Sequence, residues 1–373
     1  MFVPKNGLVF SSFVLVLFLN FVLKILRMWN DLLSVKYFLA VFIGAAIYAE
    51  WLIYLIQPVY WKQHDCLDND TTCTKILFIA DPQIQGEAAV LTPMSYVANW
   101  DSDRYLKSTF TEVMKYFNPD VLVFLGDLMD DGSKATMAQF RKRQNNNIMF
   151  YTFQRVWVPG DNDIGGENEP VYTQQLDEFE KAFPQPPVLR FRNITFYKVN
   201  VITNTIPQST NNDSTLNIVI SHYPVLPKHQ FSLNVEDKLN PDIYFCAHEH
   251  ESKYMTQKKD RSDRHVSLFY DPTAILKLMF NGDLQTEVYV PTCSYRMGTS
   301  NIGYGAAVLD NENHNLRYTV FWSSTRFPYL MLYLVIIIIL ILYCLIFWVA
   351  RYRNRNIVTS VTADMSPLLK NQL

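Results

Sequence analysis

Five short apolar runs in this chain each end on an acid or an imidazole. KILFIA (75–80) runs into Asp81, VLVFLG (121–126) into Asp127, VWVPG (156–160) into Asp161, IVIS (218–221) into His222, and YFCA (244–247) into His248 and then His250. Apolar runs of this length bounded by turn residues read as buried strands. Between and beyond them lie helix-compatible segments at Arg104 to Phe117, Lys134 to Asn145 and Val171 to Phe183, and a further strand at Ile194 to Val201. Strand and helix alternate first and strands dominate later, the pattern of a layered α/β sandwich. In such sheets the carboxyl ends of the strands converge on one crevice, so six polar side chains are expected to meet there. One such residue alone is usually a cap or a surface group. Six in this order are not explained that way.

Three carboxylates and three imidazoles suit divalent Mn, Fe or Zn. Asp127 is best placed to bridge two ions, because GDLMDDG presents it from a glycine turn. Two cations about 3.5 to 4 Å apart would clamp a phosphoryl group and make hydroxide near neutral pH, so hydrolysis needs no protein nucleophile. A formal net charge of −2 provides no basic field for nucleic acid, which is not expected as a partner.

The apolar residues, 49% of 373, are concentrated at the two ends. Phe327 to Ala350 is 24 residues without a charge, enough to cross a bilayer core of roughly 20 residues' length. Tyr37 to Ile56 is a second expected span, in which Glu50 needs a partner or an interfacial position. Leu8 to Leu23 can be a further span, an uncleaved signal segment or an interfacial helix. Lys24, Arg27 and Lys36 precede the second block and Arg351, Arg353 and Arg355 follow the last. Basic flanks stay cytoplasmic, so both ends of the central region are expected on the far side of the membrane. The expected organisation is therefore an N-terminal hydrophobic segment and cytoplasmic loop (1–36), a span (37–56), a lumenal domain (57–326), a span (327–350) and a cytoplasmic tail (351–373).

Three glycosylation patterns, at Asn69, Asn193 and Asn212, all fall in that central region. Cys66 and Cys73 are candidates for a disulfide in an oxidising lumen, with zinc as the alternative; Cys246 and Cys293 are expected as buried thiols.

The ordered blocks ADPQ, LGDLMDDG, PGDND, SHYP and AHEH, from about Lys75 to Lys253, resemble the signature of the calcineurin-like metallophosphoesterases. That resemblance implies a four-layer sandwich of two mixed β-sheets flanked by helices, here with N- and C-terminal transmembrane helices. It implies a binuclear phosphoesterase using two divalent ions, Mn first and Zn or Fe otherwise. Asp81, Gln83, Asp127 and His250 would hold the first ion, and Asp127, Asp161, His222 and His248 the second. With the flanking spans and the details DPQ, GDLMDDG and HYP, the chain is most similar to members that remove ethanolamine phosphate from the mannose of GPI anchors in the endoplasmic reticulum or early Golgi. GPI-anchored proteins or a phosphorylated glycolipid would be substrate, membrane lipid the surroundings, and cargo receptors further partners.

Three positions depart from the family pattern. Gln83 stands where His is usual and offers a weaker amide oxygen. Asp161 replaces Asn and adds a negative charge. Asn162 occupies the place of the catalytic His; it can donate a hydrogen bond but deliver no proton, a contribution typically worth about 10²- to 10⁴-fold. An ammonium on the substrate would help neutralise the added carboxylate. Asp130 and Asp131 are expected as surface turn carboxylates, Asp163 as a turn cap, His229 and His265 as exposed, and Tyr223 and Pro224 as structural. Two rival readings remain open: a non-catalytic, metal-dependent binder of phosphorylated glycan or cargo, and a lumenal phosphomonoesterase.

Overall fold

The computed structural model describes residues 32–66, 73–86, 93–147, 154–167, 169–210, 215–280, 283–310 and 315–370. Leu8 to Leu23, Asn69 and Asn212 lie outside them. The described residues divide into two compact units, one holding residues 32–53 and 328–370, the other lying within Tyr54–Phe327.

In the first unit, α1 (Leu32–Ile47) continues through a π-helical turn, Tyr48–Leu52, into the one-turn α2 (Ile53–Ile56). The C-terminal helix runs over Phe327–Lys370. Two stretches of these helices, Leu39–Tyr60 and Phe327–Val349, are long and apolar enough to cross a membrane. Their side chains point mostly outward, as a lipid surround would favour. Glu50 has its partner here: the Tyr333 hydroxyl donates to Glu50 Oε1 at 2.6 Å. Beside it the Tyr48 and Tyr329 rings lie 6.1 Å apart. An acid within so apolar a helix is satisfied by such a donor.

The second unit holds two mixed sheets. Its strands are β1 (Thr74–Ile79), β2 (Val121–Phe124), β3 (Gln154–Trp157), β4 (Val188–Phe191), β5 (Ile194–Lys198), β6 (Leu216–Ile220), β7 (Ile243–Cys246), β8 (Lys253–Lys258), β9 (His265–Leu268), β10 (Leu276–Met279), β11 (Leu284–Tyr289), β12 (Gly303–Leu309) and β13 (Asn315–Trp322). One sheet has the order β10-β13-β12-β1-β2-β3, the other β4-β5-β6-β7-β11-β8-β9. In the first, β1, β2 and β3 are parallel and the rest antiparallel. In the second, β5, β6, β7 and β11 are parallel. The helices are α3 (Pro93–Phe117), α4 (Met137–Asn147), α5 (Asp161–Ile164), α6 (Thr173–Ala182) and α7 (His229–Leu239).

Strand alternation divides the apolar residues between two faces. Ile76 and Phe78 of β1, with Val121 and Val123 of β2, enter a core shared with Ile218, Ile220, Phe245 and Val288 of the other sheet. The rings of Phe78 and Phe245 stack at 4.1 Å across it. Outside the second sheet, Tyr197, Val219 and Tyr244 pack with Val235 and Leu239 of α7. Outside the first, Phe110 and Phe117 of α3 meet Tyr304 and Phe321, and Trp157 stacks on Phe183 just after α6. Helix, sheet, sheet, helix is the four-layer order. Burying each large apolar side chain contributes about 1.5 to 3 kcal/mol, so the inter-sheet core dominates what holds the parallel strands in register.

Several boundaries differ from the sequence expectation for physical reasons. The strand expected to reach Val201 stops at Lys198, where Asn200 Oδ1 accepts the backbone N–H groups of Ile202 and Thr203 and turns the chain. The helix expected from Arg104 begins at Pro93, a residue suited to a first helical position. The helix expected from Lys134 begins at Met137, after a 3₁₀ turn at Gly132–Lys134.

Candidate metal centre

The parallel strands β1, β2, β3, β6 and β7 deliver their polar residues to one crevice. Asp81 follows β1 by two residues and is fully buried; Asp127 is 2% and Asp161 5% exposed, and His222 is 2% exposed. His248 and His250 are half-buried at the rim. All six positions, with Gln83, are brought together.

The backbone is strained here. Asp81, Gln83, Asp127, His248 and His250 have φ between 46° and 66°, five of the eleven non-glycine residues with positive φ among those described. Such conformations cost of order 1 to 3 kcal/mol each and persist where surrounding structure fixes them, commonly at functional sites. Two glycines are needed by close approach. At Gly126, φ +93°, a Cβ would lie 2.8 Å from His222 Nδ1, and at Gly160 a Cβ would overlap the Asp127 carboxylate.

His222 is the hub. Its Nδ1 lies 2.8 Å from the Leu125 carbonyl, which fixes that nitrogen as donor and leaves Nε2 toward the acids. Nε2 is 2.9 Å from Asp161 Oδ1 and 3.4 Å from Asp127 Oδ1. His248 Nδ1 is 3.2 Å from Asp161 Oδ1, and His250 Nε2 is 3.7 Å from Asp81 Oδ1. Two sets of donor atoms, Asp161 with His222 and His248, and Asp81 with Asp127 and His222, each lie within 4.8 Å of one another. In the family assignment His222 serves the second ion; the structure sets it against Asp81 and Asp127 as well.

Asp127 is held in place from both sides. Asn162 donates to it twice, from its backbone N–H to Oδ1 at 3.0 Å and from Nδ2 to Oδ2 at 2.8 Å. Gln83 Nε2 donates to the same Oδ2 at 2.7 Å. The Asn162 amide therefore faces the expected bridging carboxylate. Asp163 caps the turn, accepting the backbone N–H groups of Leu128, Met129 and Gly160.

The electrostatics follow from crowding three acids in a low-dielectric crevice. Burial works against a charged His222, yet the Asp127 charge, the Asp161 hydrogen bond and the Asp81 charge outweigh it and push its pKa up to about 10. Burial also lifts Asp81 well above the carboxylate range, opposed by His222 and reinforced by Asp127 and Asp161. Burial raises Asp127 too. Against burial, hydrogen bonds from His222 and His248 hold Asp161 well below the carboxylate range.

These residues fit divalent cations on grounds of their own. Both carboxylate oxygens of Asp81 and Oε1 of Gln83 are buried without a hydrogen-bond partner. Buried acceptors are costly unless paired, and three acids against one central imidazole carry an excess of negative charge that a cation neutralises.

Sequence reasoning missed other contributors. Arg296, half-buried in the loop after β11, donates to the Gln83 carbonyl at 3.1 Å and to Asp130 Oδ2 at 2.8 Å. Asp130 is thus half of a buttress under Gln83, not the free surface carboxylate expected. Thr292 Oγ1 donates to the Asp81 carbonyl at 2.9 Å. The ring of Tyr223 stacks on His248 at 3.8 Å and lines a cavity of about 540 Å³ with Glu167, Glu169, Val171, Ile202 and Lys228. No spacing rule in the sequence points to these residues. His229 and His265 are exposed and outside the crevice, and Asn193 is exposed in the turn joining β4 to β5. A disulfide joins Cys66 and Cys73, and Cys246 and Cys293 are buried free thiols.

Residues 74–252 match the family described as calcineurin-like phosphoesterase. Two curated relatives are named metallophosphoesterase 1: that of Pongo abelii is 24% identical over 181 residues, 44% of this chain and 43% of its own length, and that of Cricetulus griseus is 24% identical over 176 residues, 43% and 42%. The chain thus spans less than half the length of these relatives. Among solved structures, a metallophosphoesterase from Sphaerobacter thermophilus overlaps 66% of this chain and 87% of its own at 12% identity and a TM-score of 0.34. With the two-sheet fold and the strand-end acids and imidazoles, the match identifies residues 74–252 as a calcineurin-like phosphoesterase domain, just under half of the chain.

Proposed function

We propose that this protein is a membrane-anchored, lumen-facing phosphodiesterase with a binuclear metal centre, removing ethanolamine phosphate from the mannose of GPI anchors during their remodelling and transport from the endoplasmic reticulum to the Golgi. The observation that carries the catalytic part is the pair of Asp/His groups meeting at His222, with buried, unpartnered oxygens on Asp81 and Gln83. The curated relatives' name supports a metallophosphoesterase, and the substrate is the reading that the resemblance favours. Exposed Asn193 within an Asn-Ile-Thr pattern and the Cys66–Cys73 disulfide support a lumenal domain. The two apolar helices support a membrane anchor.

Asp81, Gln83, Asp127 and His250 would hold one ion and Asp127, Asp161, His222 and His248 the other, Mn first among the candidates. Two such ions supply positive charge for the phosphoryl oxygens and lower the pKa of water. The chain's own residues do the positioning. Leu125 orients His222, Asn162 and Gln83 fix both oxygens of Asp127, and Arg296 fixes the Gln83 carbonyl. Asn162 moves no proton, so departure of a sugar hydroxyl is not assisted by an acid at residue 162. GPI-anchored proteins are the proposed substrates, and receptors for the trimmed anchor the proposed partners.

The commitment of the Asn162 amide to Asp127 favours one second reading, a metal-loaded domain that binds a phosphorylated glycan without turning it over. GPI-glycan analysis of cells carrying only Asp127→Ala decides the substrate: retained side-chain ethanolamine phosphate is expected, and fully trimmed anchors would overturn it. Two bound metals with no turnover of any phosphodiester would favour the binder.

A further inference from the structure

The first turns of α3 carry an apolar surface that the phosphoesterase chemistry does not use. Tyr96, Val97 and Trp100 are 67%, 60% and 62% exposed. At 100° per residue they share one stripe of the helix, on the side away from the buried Ser102, Tyr105 and Thr109. The Arg104 guanidinium lies 5.4 Å over the Trp100 ring. Soluble surfaces seldom gather exposed Tyr, Val and Trp on successive turns, and when they do the patch is usually an interaction site.

What lies next to this stripe identifies its occupant. The next residue, Asp101, is buried and bonded to Arg326 and to the Tyr295 hydroxyl, the latter at 2.8 Å. Arg326 directly precedes the candidate span Phe327–Val349, and the Phe327 ring lies 5.4 Å from Tyr295. One turn on, the Tyr105 hydroxyl donates to the Ser324 carbonyl at 2.7 Å, and its ring meets that of Tyr54, inside the candidate span Leu39–Tyr60, at 6.1 Å. Where that span ends, Trp61 Nε1 donates to the Trp322 carbonyl at 2.8 Å, and Val59 and Tyr60 are 79% and 72% exposed. Both points where the chain passes between apolar helix and folded domain are thus fastened to the same stretch of α3.

The geometry points to the Tyr96, Val97 and Trp100 face as a membrane-contact surface, seated in the headgroup layer of the bilayer that the two apolar helices cross. Tyr and Trp favour that layer because their rings are apolar and their polar ends hydrogen-bond to water and headgroups. The exposed Lys62 adds a cation of the kind that phosphate headgroups attract. The contact rests on the two helices crossing a bilayer and not on the identity of the substrate.

Site-directed spin labels on the full chain in lipid nanodiscs, in a Cys344→Ser background, test it. Labels at Val97→Cys and Trp100→Cys are compared with one at Asp260→Cys, an exposed loop position, and one at Ile341→Cys in the C-terminal apolar helix. The expected result is good accessibility to oxygen with accessibility to a nickel chelate several-fold below that of the Asp260 position. Nickel accessibility equal to the Asp260 position overturns the proposal, and so does shielding from both reagents, which would mean a protein partner or a second copy covers the face. A water-exposed label at Ile341 would sink the membrane reading itself, a different failure. Should a labelled variant not fold, quenching of tryptophan emission by brominated lipid is expected to fall in Trp100→Phe relative to the natural chain, and unchanged quenching counts against the contact.

Discussion

Asp81 and Glu287 are both fully buried carboxylates in the second unit, and the fold treats them in opposite ways. Glu287, on β11, accepts the backbone N–H groups of Val225 at 2.6 Å and Leu226 at 3.1 Å. Burial pushes its pKa up to about 7, against those hydrogen bonds. A proton is therefore its neutraliser, and it can serve as a structural brace for the loop after His222. Asp81 has no hydrogen bond to either oxygen, stands near two further acids and one central imidazole, and sits on a strained backbone. Paired acceptors and relaxed geometry mark a carboxylate that the protein completes by itself. Unpaired acceptors and strain mark one that a ligand completes.

The largest effect expected from this contrast is at Asp127, the proposed ligand of both ions. Asp127→Ala should lower phosphodiester turnover by at least about 10³-fold, since it removes a ligand from both proposed ions at once. Its second readout is stability. A divalent cation at 100 times its dissociation constant should stabilise the natural chain by about 2.7 kcal/mol. That increment should vanish in Asp127→Ala and survive in Glu287→Gln. If both variants kept it, the distinction between the two kinds of buried acid would fail.

Glu287 gives the next effect, in pH dependence. Below the ordinary glutamate value of 4.5 the group is protonated whether the chain is folded or not, and above about 7 it is ionised in both states. Between those values only the folded state keeps the proton, so stability falls as pH rises across that window. The shift from 4.5 to about 7 corresponds to about 3 kcal/mol in total. Other acids titrate nearby, so the measurement is the difference in thermal unfolding between the natural chain and Glu287→Gln from pH 4 to pH 8. The variant should lose that slope while binding metal normally; an identical slope in both would show that Glu287 is not the group responsible.

The same contrast explains what could be read from the sequence. The strand-end acids and imidazoles were legible because local apolar runs place them, and convergence at strand ends is a property of the sheet. Strands β8 and β11 were harder to see, since buried polar pairs interrupt their apolar pattern: Gln257 Nε2 donates to Gln285 Oε1 at 2.8 Å inside the sheet, and Glu287 follows. The first eleven residues of α3 were illegible for a related reason. Asn, Ser and Asp are poor helix formers, and what keeps Asp101 helical is its tertiary bond to Arg326, 225 residues away. Arg296 could not be anticipated at all, because its partner at the site is a backbone carbonyl that only the folded chain presents.

Arg296 supplies the smallest and most discriminating effect. Its hydrogen bonds go to the Gln83 carbonyl and Asp130, so its influence should fall on the Asp81 side of the centre. Gln83 is already the weakest donor proposed, an amide oxygen on a backbone at φ 48°. Without the guanidinium the Gln83 carbonyl loses its donor and the residue is held only by its two hydrogen bonds to Asp127, and outer contacts of this kind typically change metal affinity by about 10- to 100-fold. Calorimetric titration of Arg296→Met should therefore show one of two binding events weakened and the other unchanged, with Arg296→Lys intermediate because it cannot make both bonds. Gln83→His in the same background should restore the weakened event, since imidazole is the stronger ligand. If Arg296→Met weakened both events equally, the two donor groups would have to be read as one cooperative site sharing its strain, and the separation between the Asp81 and Asp161 sides would not hold.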